Sequence, residues 1–353
     1  MKCKFGEIAT GFDYGMNAAA KHYDGQNKYI RITDIDEASS TYNNSSIVSP
    51  DGILSENYVV NEGDILLART GASTGKSYLY RKSDGKLYYA GFLIRANVAE
   101  HNPYFVFSQL HTHRYWRWVS IMSARSGQPG INSLEYASFP IFTTTLKEEN
   151  KISSLLSLID ERITTQNKII EKLQSLIKGI AQNIVLRNKP NVRISQCLEC
   201  SSSTLQESDV LEYGTYPVYG ANGVVGFLDN YNTSNEAIYI IKDGSGVGAV
   251  SYVAGKCSAT GTLNILQAKK GFSLRYLYYL LNIFNFEPYK TGMAIPHIYF
   301  KDYGKAQIFC PSYSEQLKYA KFLATIDDKL LTEQNVLINL SLQKQYLLRQ
   351  MFI

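Results

Sequence analysis

A glycine-rich run in the first half of the chain combines residue types that two classes of enzyme use. Residues 71–77, Gly-Ala-Ser-Thr-Gly-Lys-Ser, end like a phosphate-binding loop and begin with the Gly-x-Ser-x-Gly of a hydrolase nucleophile. A phosphate-binding loop needs four residues between its glycines, and this run has three. A nucleophile of that kind must open a helix, whereas residues 77–80 have the pattern of a strand. The sequence therefore predicts neither a nucleotide site nor a hydrolase here.

Other short motifs also fall short of a catalytic or metal site. A structural zinc site needs four ligands, but the Cys-x-x-Cys motif has no second cysteine pair. A separate His-x-His motif would point its two side chains to different sides of a helix. Asn-Pro-Tyr is similar to the Asn-Pro-Pro-Tyr motif of adenine methyltransferases but lacks the second proline. The Asp and Glu that could form a nuclease carboxylate pair lack the lysine expected two residues after the Glu. We predict no catalytic residue, no metal and no cofactor, and expect a partner to supply any catalysis. The motifs are Asn102-Pro103-Tyr104, Pro50-Asp51 with Glu56, Cys197-Leu198-Glu199-Cys200 and His111-Thr112-His113.

The composition indicates a folded protein of more than one domain. The 353 residues fit two or three domains of roughly 100–200 residues each, and the 45% hydrophobic and 19% charged fractions exclude a disordered chain. The N-terminus lacks the apolar run of a signal peptide, and no stretch approaches the ~18 apolar residues of a membrane helix. Because the five cysteines are scattered, we expect a protein of the reducing cytoplasm with no membrane partner.

Two segments repeat a heptad pattern 167 residues apart. Apolar residues occupy nine of ten positions spaced by three and four between 152 and 184, and eight of ten between 319 and 351. The fifth position is polar in both, Gln166 and Glu333. This period predicts a coiled-coil seam along a rod of roughly 55–60 Å, with an amphipathic helix on a core as the alternative. The predicted seam residues are Leu156, Ile159, Ile163, Ile170, Leu173, Ile177, Leu323, Ile326, Leu330, Leu337, Leu340 and Leu347.

The repeat continues upstream of the heptads. The run Gly71–Gly75 aligns with Gly244–Gly248, and each follows a short apolar strand and a basic residue, Arg69 or Lys242. The second run has Gly246 where Ser73 stands, which again argues against a catalytic loop. Helix-like runs at 104–118 and 274–284, and glycine turns at 126–132 and 291–297, correspond in the same order.

The predicted architecture is therefore globular, long helix, globular, long helix. Short strands rich in Tyr, Val and Ile, frequent glycine turns and one or two short helices give each globular part a mixed α/β character. The predicted boundaries are 1–146 for the first globular domain, 147–188 for the first long helix, 189–313 for the second globular domain and 314–353 for the second long helix.

The net charge of +5 is unevenly distributed along the chain. Residues 1–146 carry +1, 147–190 carry +3, 191–312 carry none and 313–353 carry +1. A nucleic-acid surface would thus be a local face and not a uniformly basic body. Interleaved aromatic and basic residues at 114–118 could bind the backbone and the bases of a nucleic acid. The alternative there is a helix whose arginine stems extend along apolar surface.

In order and in duplicate, these motifs resemble the specificity subunits of type I restriction–modification systems. The resemblance covers nearly the whole chain, although Gly130 interrupts the first Gln-Pro turn and residues 293–296 replace the polar run of the second. The residues that carry it are Tyr29 to Ile35, Gly63 to Gly71 and Ser126 to Asn132 in the first half, and Tyr216 to Gly223, Gly244 to Gly248, Tyr276 to Leu281 and Pro311 with Glu315-Gln316 in the second.

The resemblance implies a non-catalytic subunit of α+β fold that binds double-stranded DNA. Each globular part would be a target recognition domain that reads one half of a bipartite, asymmetric sequence. The two long helices would pack antiparallel in a pseudo-twofold repeat and act as a ruler for the spacer. Two methyltransferase subunits would dock on the helices and modify adenines, and motor–nuclease subunits would complete the complex. S-adenosylmethionine, ATP and Mg²⁺ would belong to those partners.

Loops of each globular part are expected to read base edges in the major groove, with Lys and Arg positioning the DNA backbone. For each glycine loop, the alternative is a tight turn that needs positive φ. For the chain, the alternatives are the specificity half of a system whose methylase and nuclease form one polypeptide, and a coiled-coil scaffold whose globular ends bind protein or sugar. The predicted contacts are Arg69, Ser73, Thr74, Lys76, Arg125 and Gln128 for one half-site, and Lys242, Ser245, Lys290, Thr291 and His297 for the other.

Overall fold

The chain forms two compact units that share two long helices. The computed structural model describes residues 1–37, 39–124, 129–292 and 294–352. Unit 1 comprises Met1–Thr165 with Leu337–Ile353, and unit 2 comprises Gln166–Val336. Each long helix therefore contributes one part to each unit.

Unit 1 contains short strands and helices that lead into the first long helix. In chain order these are β1 (Lys2–Lys4), α1 (Phe5–Ile8), β2 (Thr10–Tyr14), β3 (Ala19–His22), β4 (Lys28–Ile30), β5 (Val48–Asp51), β6 (Asp64–Ala68), β7 (Ser77–Leu79), β8 (Leu87–Tyr89), β9 (Leu93–Asn97), α2 (Pro103–Gln109), α3 (His113–Ser123), α4 (Ser133–Ala137), β10 (Pro140–Phe142) and α5 (Leu146–Leu186).

Unit 2 repeats this plan and leads into the second long helix. Its elements are β11 (Val192–Arg193), α6 (Ile194–Cys197), β12 (Leu198–Ser202), β13 (Tyr216–Gly220), β14 (Gly223–Leu228), β15 (Glu236–Ile241), β16 (Val250–Ala254), β17 (Ser258–Ala259), β18 (Leu263–Ala268), α7 (Leu274–Asn282), α8 (Phe300–Tyr303), β19 (Gln307–Ile308) and α9 (Tyr313–Met351).

The four-stranded sheets of the two units have the same strand order. Unit 1 has a four-stranded antiparallel sheet β2-β9-β6-β7, and unit 2 has β12-β18-β15-β16. Each unit also has a parallel pair, β4 with β8 and β13 with β17, and a short antiparallel pair before its long helix, β1 with β10 and β11 with β19. The predicted α+β fold class and internal repeat are confirmed, and the repeat extends to the order of strands in the four-stranded sheet. The smaller sheets differ, since β13 also pairs with β14 in unit 2 and β3 pairs with β5 in unit 1.

After its first, acidic residue, one central strand of each four-stranded sheet, β6 or β15, is a run of mainly apolar residues because both of its faces are covered. All five residues of β6 are buried, and so are the middle four of β15. The carboxylate of Asp64, at the start of β6, accepts hydrogen bonds from the Asn61 backbone N (2.7 Å) and the Asn97 Nδ2 (2.7 Å). These bonds satisfy the polar group that opens the strand, although burial raises the pKa of Asp64.

Both long helices begin with the same anchor. In unit 1, the buried Glu149 carboxylate accepts a hydrogen bond from the Asn102 backbone N (3.0 Å), just before α2. In unit 2, the buried Gln316 Oε1 accepts one from the Ser273 backbone N (2.9 Å), just before α7. A buried side-chain acceptor thus satisfies a helix N-terminal amide in each repeat and fixes the long helix to the short one.

The first globular part has two helices where the sequence predicts one helix-like run at 104–118. The chain breaks between α2 and α3 because Thr112 is an N-cap: its Oγ1 accepts a hydrogen bond from the Tyr115 backbone N (3.3 Å) and donates to the Gln109 carbonyl (2.8 Å). Aromatic residues of both helices fill the core of unit 1, where Phe105 meets Phe352 after the end of α9, with ring centroids 5.1 Å apart.

The predicted seam residues of the long helices lie on their inward sides. All twelve are buried or half-buried, whereas apolar residues between them, such as Leu158 and Phe322, are exposed. In unit 2, Gln166 donates through Nε2 to the carbonyl (3.0 Å) and the carboxylate of Glu333. The two polar positions that the repeat makes equivalent therefore bind each other. Within the described residues, no helix is both long and apolar enough to cross a membrane.

Candidate nucleic-acid interface

The glycine-rich loop after β6 is a tight turn that contains one turn of 3-10 helix, Gly71–Ser73, and does not open an α-helix. The Gly75 backbone N donates to the Ala68 carbonyl (3.0 Å), and the Ala68 N donates to the Lys76 carbonyl (2.8 Å). Gly71 and Gly75 have φ of +66° and +92°, a region that favours glycine. The chain then enters β7, as the strand pattern predicts.

A second loop lies directly beside the first. The Gly71 backbone N donates to the Pro129 carbonyl (3.0 Å), and the Ile131 N donates to the Arg69 carbonyl (2.9 Å). The two glycine-containing segments that the sequence predicts to contact one half-site are thus brought together. The predicted contacts Arg125 and Gln128 belong to this second segment but lie outside the described residues.

Unit 2 builds the same pair of loops with the same backbone bonds. The Gly244 N donates to the Pro296 carbonyl (3.0 Å), the Ile298 N to the Lys242 carbonyl (2.9 Å), and the Gly248 N to the Ile241 carbonyl (2.9 Å). Arg69 and Lys242 consequently occupy equivalent positions at the end of the central strand.

Two buried tyrosines hold the first loop pair, and the sequence analysis did not identify them. The Tyr136 hydroxyl donates to the Ala68 carbonyl (2.6 Å) and accepts from the Gly75 N (3.2 Å), while the Tyr115 hydroxyl donates to the Gly75 carbonyl (2.8 Å). Burial raises the pKa of both phenols, so they remain donors at neutral pH. Repetition is the one signal that marks Tyr136, because Tyr303 stands at the same place in the second copy.

Arg69 lies between two exposed aromatic rings. Its guanidinium carbon is 4.8 Å from the ring centroid of Tyr14 and 5.9 Å from that of Phe92, and the Arg69 Nε donates to the Gly91 carbonyl (3.1 Å). The rings are 42% and 56% exposed. These side chains border a cavity of about 630 Å³, so Arg69 has both a fixed position and open space in front of it.

The other predicted contacts of the first loop divide between surface and interior. Thr74 is buried, and its Oγ1 donates to the Gly71 carbonyl (2.7 Å), so its side chain closes the turn. Lys76 forms an ion pair with Glu37 (3.0 Å). Ser73 is half-buried, and its carbonyl accepts from the Lys76 N (3.0 Å). The geometry favours the tight-turn alternative for Thr74.

The predicted contacts of unit 2 lie on its two equivalent loops. Lys242 forms an ion pair with its neighbour Asp243 (3.0 Å), and Lys290 with Glu287 (2.7 Å). Thr291 and His297 exchange backbone hydrogen bonds (2.9 and 2.8 Å) and close the second loop. Ser245 is exposed at the tip of the first. All five residues therefore lie on this loop pair or at its edge.

The interleaved aromatic and basic residues at 114–118 divide between the core and the surface, with Trp116 and Arg117 exposed. Tyr115 is fully buried, and the Arg114 guanidinium lies 4.4 Å from the ring centroid of Phe142. Burial lowers the pKa of Arg114. The alternative that an arginine side chain extends along apolar surface therefore describes Arg114, which packs against the core.

The Cys-x-x-Cys motif does not assemble a metal site. Cys197 is buried with its Sγ 3.9 Å from that of Cys310, whereas burial raises the pKa of Cys200 to about 11. Over the part of the chain that the structure describes, no group of three or more His, Cys, Asp or Glu side chains could hold a metal ion.

Sequence comparisons associate the chain with one protein family. Residues 191–340 match the model of the type I restriction modification DNA specificity domain. The chain is 26% identical over 113 residues to a putative type I restriction enzyme specificity subunit of Haemophilus influenzae, covering 31% of this chain and 29% of that protein. It is 24% identical over 245 residues to a putative type I specificity subunit of Mycoplasma genitalium, covering 63% of each. The matched region spans less than a third of the first relative's length and less than two thirds of the second's.

The fold is shared over nearly the full length of a solved specificity subunit. The crystal structure of the type I S subunit from M. genitalium superposes with a TM-score of 0.70 at 17% identity, covering 100% of this chain and 96% of that one. A chain from a structural study of type I complex assembly gives 0.54 at 14% identity, covering 99% and 96%. The chain is thus similar in sequence to type I restriction–modification specificity subunits, with residues 191–340 matching their specificity domain, and it shares the fold of one of them.

Proposed function

We propose that this chain recognises double-stranded DNA as the specificity subunit of a type I restriction–modification complex and performs no catalysis itself. The observation that carries the proposal is the duplicated pair of glycine loops. In each unit, two loops meet at the end of a buried strand and present a basic residue, Arg69 or Lys242, beside polar groups. Such rigid, exposed loops suit the reading of base edges.

The target would be bipartite and asymmetric. Each unit carries one copy of the loop pair with matching backbone hydrogen bonds, so each can serve one half-site. The side chains differ: the first copy has Arg69 and Lys76 where the second has Lys242 and Ala249. Different side chains on one backbone present different donors and acceptors, so the two half-sites would differ in sequence.

The long helices would bind the partner proteins. Besides the side chains that face inward, α5 exposes Leu155 and Leu158, and α9 exposes Phe322, Leu331 and Ile338. Exposed apolar residues of this kind fit a protein partner better than DNA. Two methyltransferase subunits would dock on the helices, and motor–nuclease subunits would join the assembled complex. S-adenosylmethionine, ATP and Mg²⁺ would be bound by those subunits.

The test is selection from a pool of randomised duplexes by the full chain, alone and with its methyltransferase partner. We expect enrichment of one bipartite motif, with an affinity that falls steeply between 50 and 200 mM salt because phosphate contacts release counterions. A duplex with both half-sites scrambled is the control. Binding without sequence preference at low salt, with and without the partner, would refute the proposal.

A further inference from the structure

The guanidinium of Arg69 is held so that only part of its hydrogen-bonding capacity is used. Its Nε donates to the Gly91 carbonyl (3.1 Å), and the Arg69 backbone N donates to the Phe92 carbonyl (3.0 Å). Among the described residues, neither terminal nitrogen of Arg69 has a hydrogen bond, and no carboxylate forms an ion pair with it. The planar fork of two terminal amino groups therefore remains for a ligand.

Two aromatic rings restrict the movement of this fork. Tyr14 and Phe92 lie within cation–π distance of the guanidinium. The Tyr14 hydroxyl in turn accepts a hydrogen bond from the Ser133 backbone N (3.3 Å). Because the fork is already ordered, little side-chain entropy remains to be lost when a ligand binds.

The surroundings favour a base edge over a phosphate as the ligand. A phosphate needs several free donors around it, but the Arg69 guanidinium contacts ring faces and the carbonyl of Gly91. The other guanidinium that lines this cavity, that of Arg31, is already bound to the Asp34 carboxylate. Guanine presents two adjacent acceptors, O6 and N7, in the major groove, and a bidentate arginine is their commonest partner in proteins. The flat rings can lie against neighbouring bases without requiring further hydrogen bonds.

The equivalent place in unit 2 lacks each of these features. Tyr14 pairs with Ile94 across the sheet in unit 1, and Ser202 pairs with Asn264 at the same register in unit 2. The Lys242 N donates to the Thr262 carbonyl (2.9 Å), as the Arg69 N does to that of Phe92. The trio Tyr14, Arg69 and Phe92 is therefore replaced by Ser202, Lys242 and Thr262.

We propose that Arg69 reads one guanine in the half-site bound by unit 1, its two terminal amino groups donating to O6 and N7 of that base. Lys242 has a compact ammonium that is paired with Asp243, so it contributes no such bidentate contact to the other half-site. The inference rests on the proposed function, because it assigns a base to one residue of the same surface.

The experiment compares the full wild-type chain with Arg69→Ala, Arg69→Lys and, as the matched control, Lys242→Ala in the same duplex selection. Loss of one bidentate pair should reduce the preference for guanine at a single position by about tenfold or more. Arg69→Ala should show this loss and Arg69→Lys most of it, while other positions of the motif are retained. Lys242→Ala should leave that guanine preference unchanged.

A modified base separates direct contact from structural support. The best duplex is prepared with 7-deazaguanine at the identified position, which removes N7. The wild type should bind it several-fold less tightly than the unmodified duplex, whereas Arg69→Ala should bind both equally. Two results would overturn the assignment of Arg69 while leaving the proposed function intact. One is that Arg69→Ala lowers the affinity for every duplex by the same factor, and the other is that the wild type binds the 7-deazaguanine duplex as tightly as the unmodified one. A wild type that selects no motif would overturn both.

Discussion

The glycine loops that follow β6 and β15 have the same backbone and different supports. In unit 1, the Tyr136 hydroxyl donates to the Ala68 carbonyl of the loop. In unit 2, the equivalent Tyr303 hydroxyl accepts instead from the Asn264 Nδ2 (3.0 Å), on the neighbouring strand. The comparison teaches that the turn itself is specified by its own backbone bonds and glycines, while the side chains that hold it can differ. Such loops can vary in what they present without loss of the fold.

The largest expected effect comes from Gly75, the more closely surrounded of the two positive-φ glycines in the loop after β6. A Cβ on Gly75, at φ +92°, would lie 2.7 Å from the Val119 Cγ1, so Gly75→Ala combines backbone strain with a clash and should cost about 3 kcal/mol of unfolding free energy. Gly71→Ala is the control, because Gly71 also has positive φ but nothing within 4 Å of a Cβ, and should cost about 1 kcal/mol. Denaturant unfolding of the full chain measures both, and equal losses would show that packing is not the cause.

A smaller effect is expected from the two equivalent tyrosines. Tyr136→Phe and Tyr303→Phe each remove a buried hydroxyl and should cost about 1–2 kcal/mol. Native-state hydrogen exchange should locate the difference between them. In Tyr136→Phe, protection of the amides against exchange should fall in the loop at 69–75. In Tyr303→Phe, it should fall along β18 and stay unchanged in the loop at 242–248. Loss of loop protection in both variants would contradict the different supports described above.

The smallest effect concerns acid, which should weaken unit 1 more than unit 2. Burial and the charge of Lys344 lower the pKa of His111 to about 4, against about 6.5 in an unfolded chain. As pH falls from 6.5 towards 4, the unfolded state binds a proton that the folded state does not. Stability present at neutral pH is therefore lost through that window, by about 1 kcal/mol between pH 7 and 5.5.

The measurement for His111 is hydrogen exchange of each unit at these two pH values. His111→Gln should abolish the difference in unit 1, whereas His113→Gln, at an exposed position two residues away, should retain it. Unit 2 has Asn282 at the place that corresponds to His111, counting from the N-caps Asn102 and Ser273. An equal acid response in both units would assign the effect to other groups.

The parts of the fold that depend on local spacing were predictable from the sequence. The long helices and their inward-facing residues follow from heptads, and Gly71 and Gly75 mark a turn. The supports of the loops were not predictable, because Tyr136 reaches Ala68 across 68 positions of the chain, and only the folded register brings them together. The same reason explains why Arg114 lies over Phe142. Thr74 is different, because its hydroxyl closes the turn on Gly71 only three residues away, and its place in a polar loop did not indicate this inward direction.

The hydrogen bond between Gln166 and Glu333 has a consequence for insertions and deletions. These are equivalent positions of the repeat, separated by 167 residues, and they form a polar pair in a seam of mostly apolar residues. A slide of one heptad would place the Gln166 amide against Ile326, leaving it without a partner. The pair therefore opposes a one-heptad slide of the two helices where it lies, so an insertion or deletion that shifts Gln166 relative to Glu333 should cost the free energy of a buried, unpaired amide.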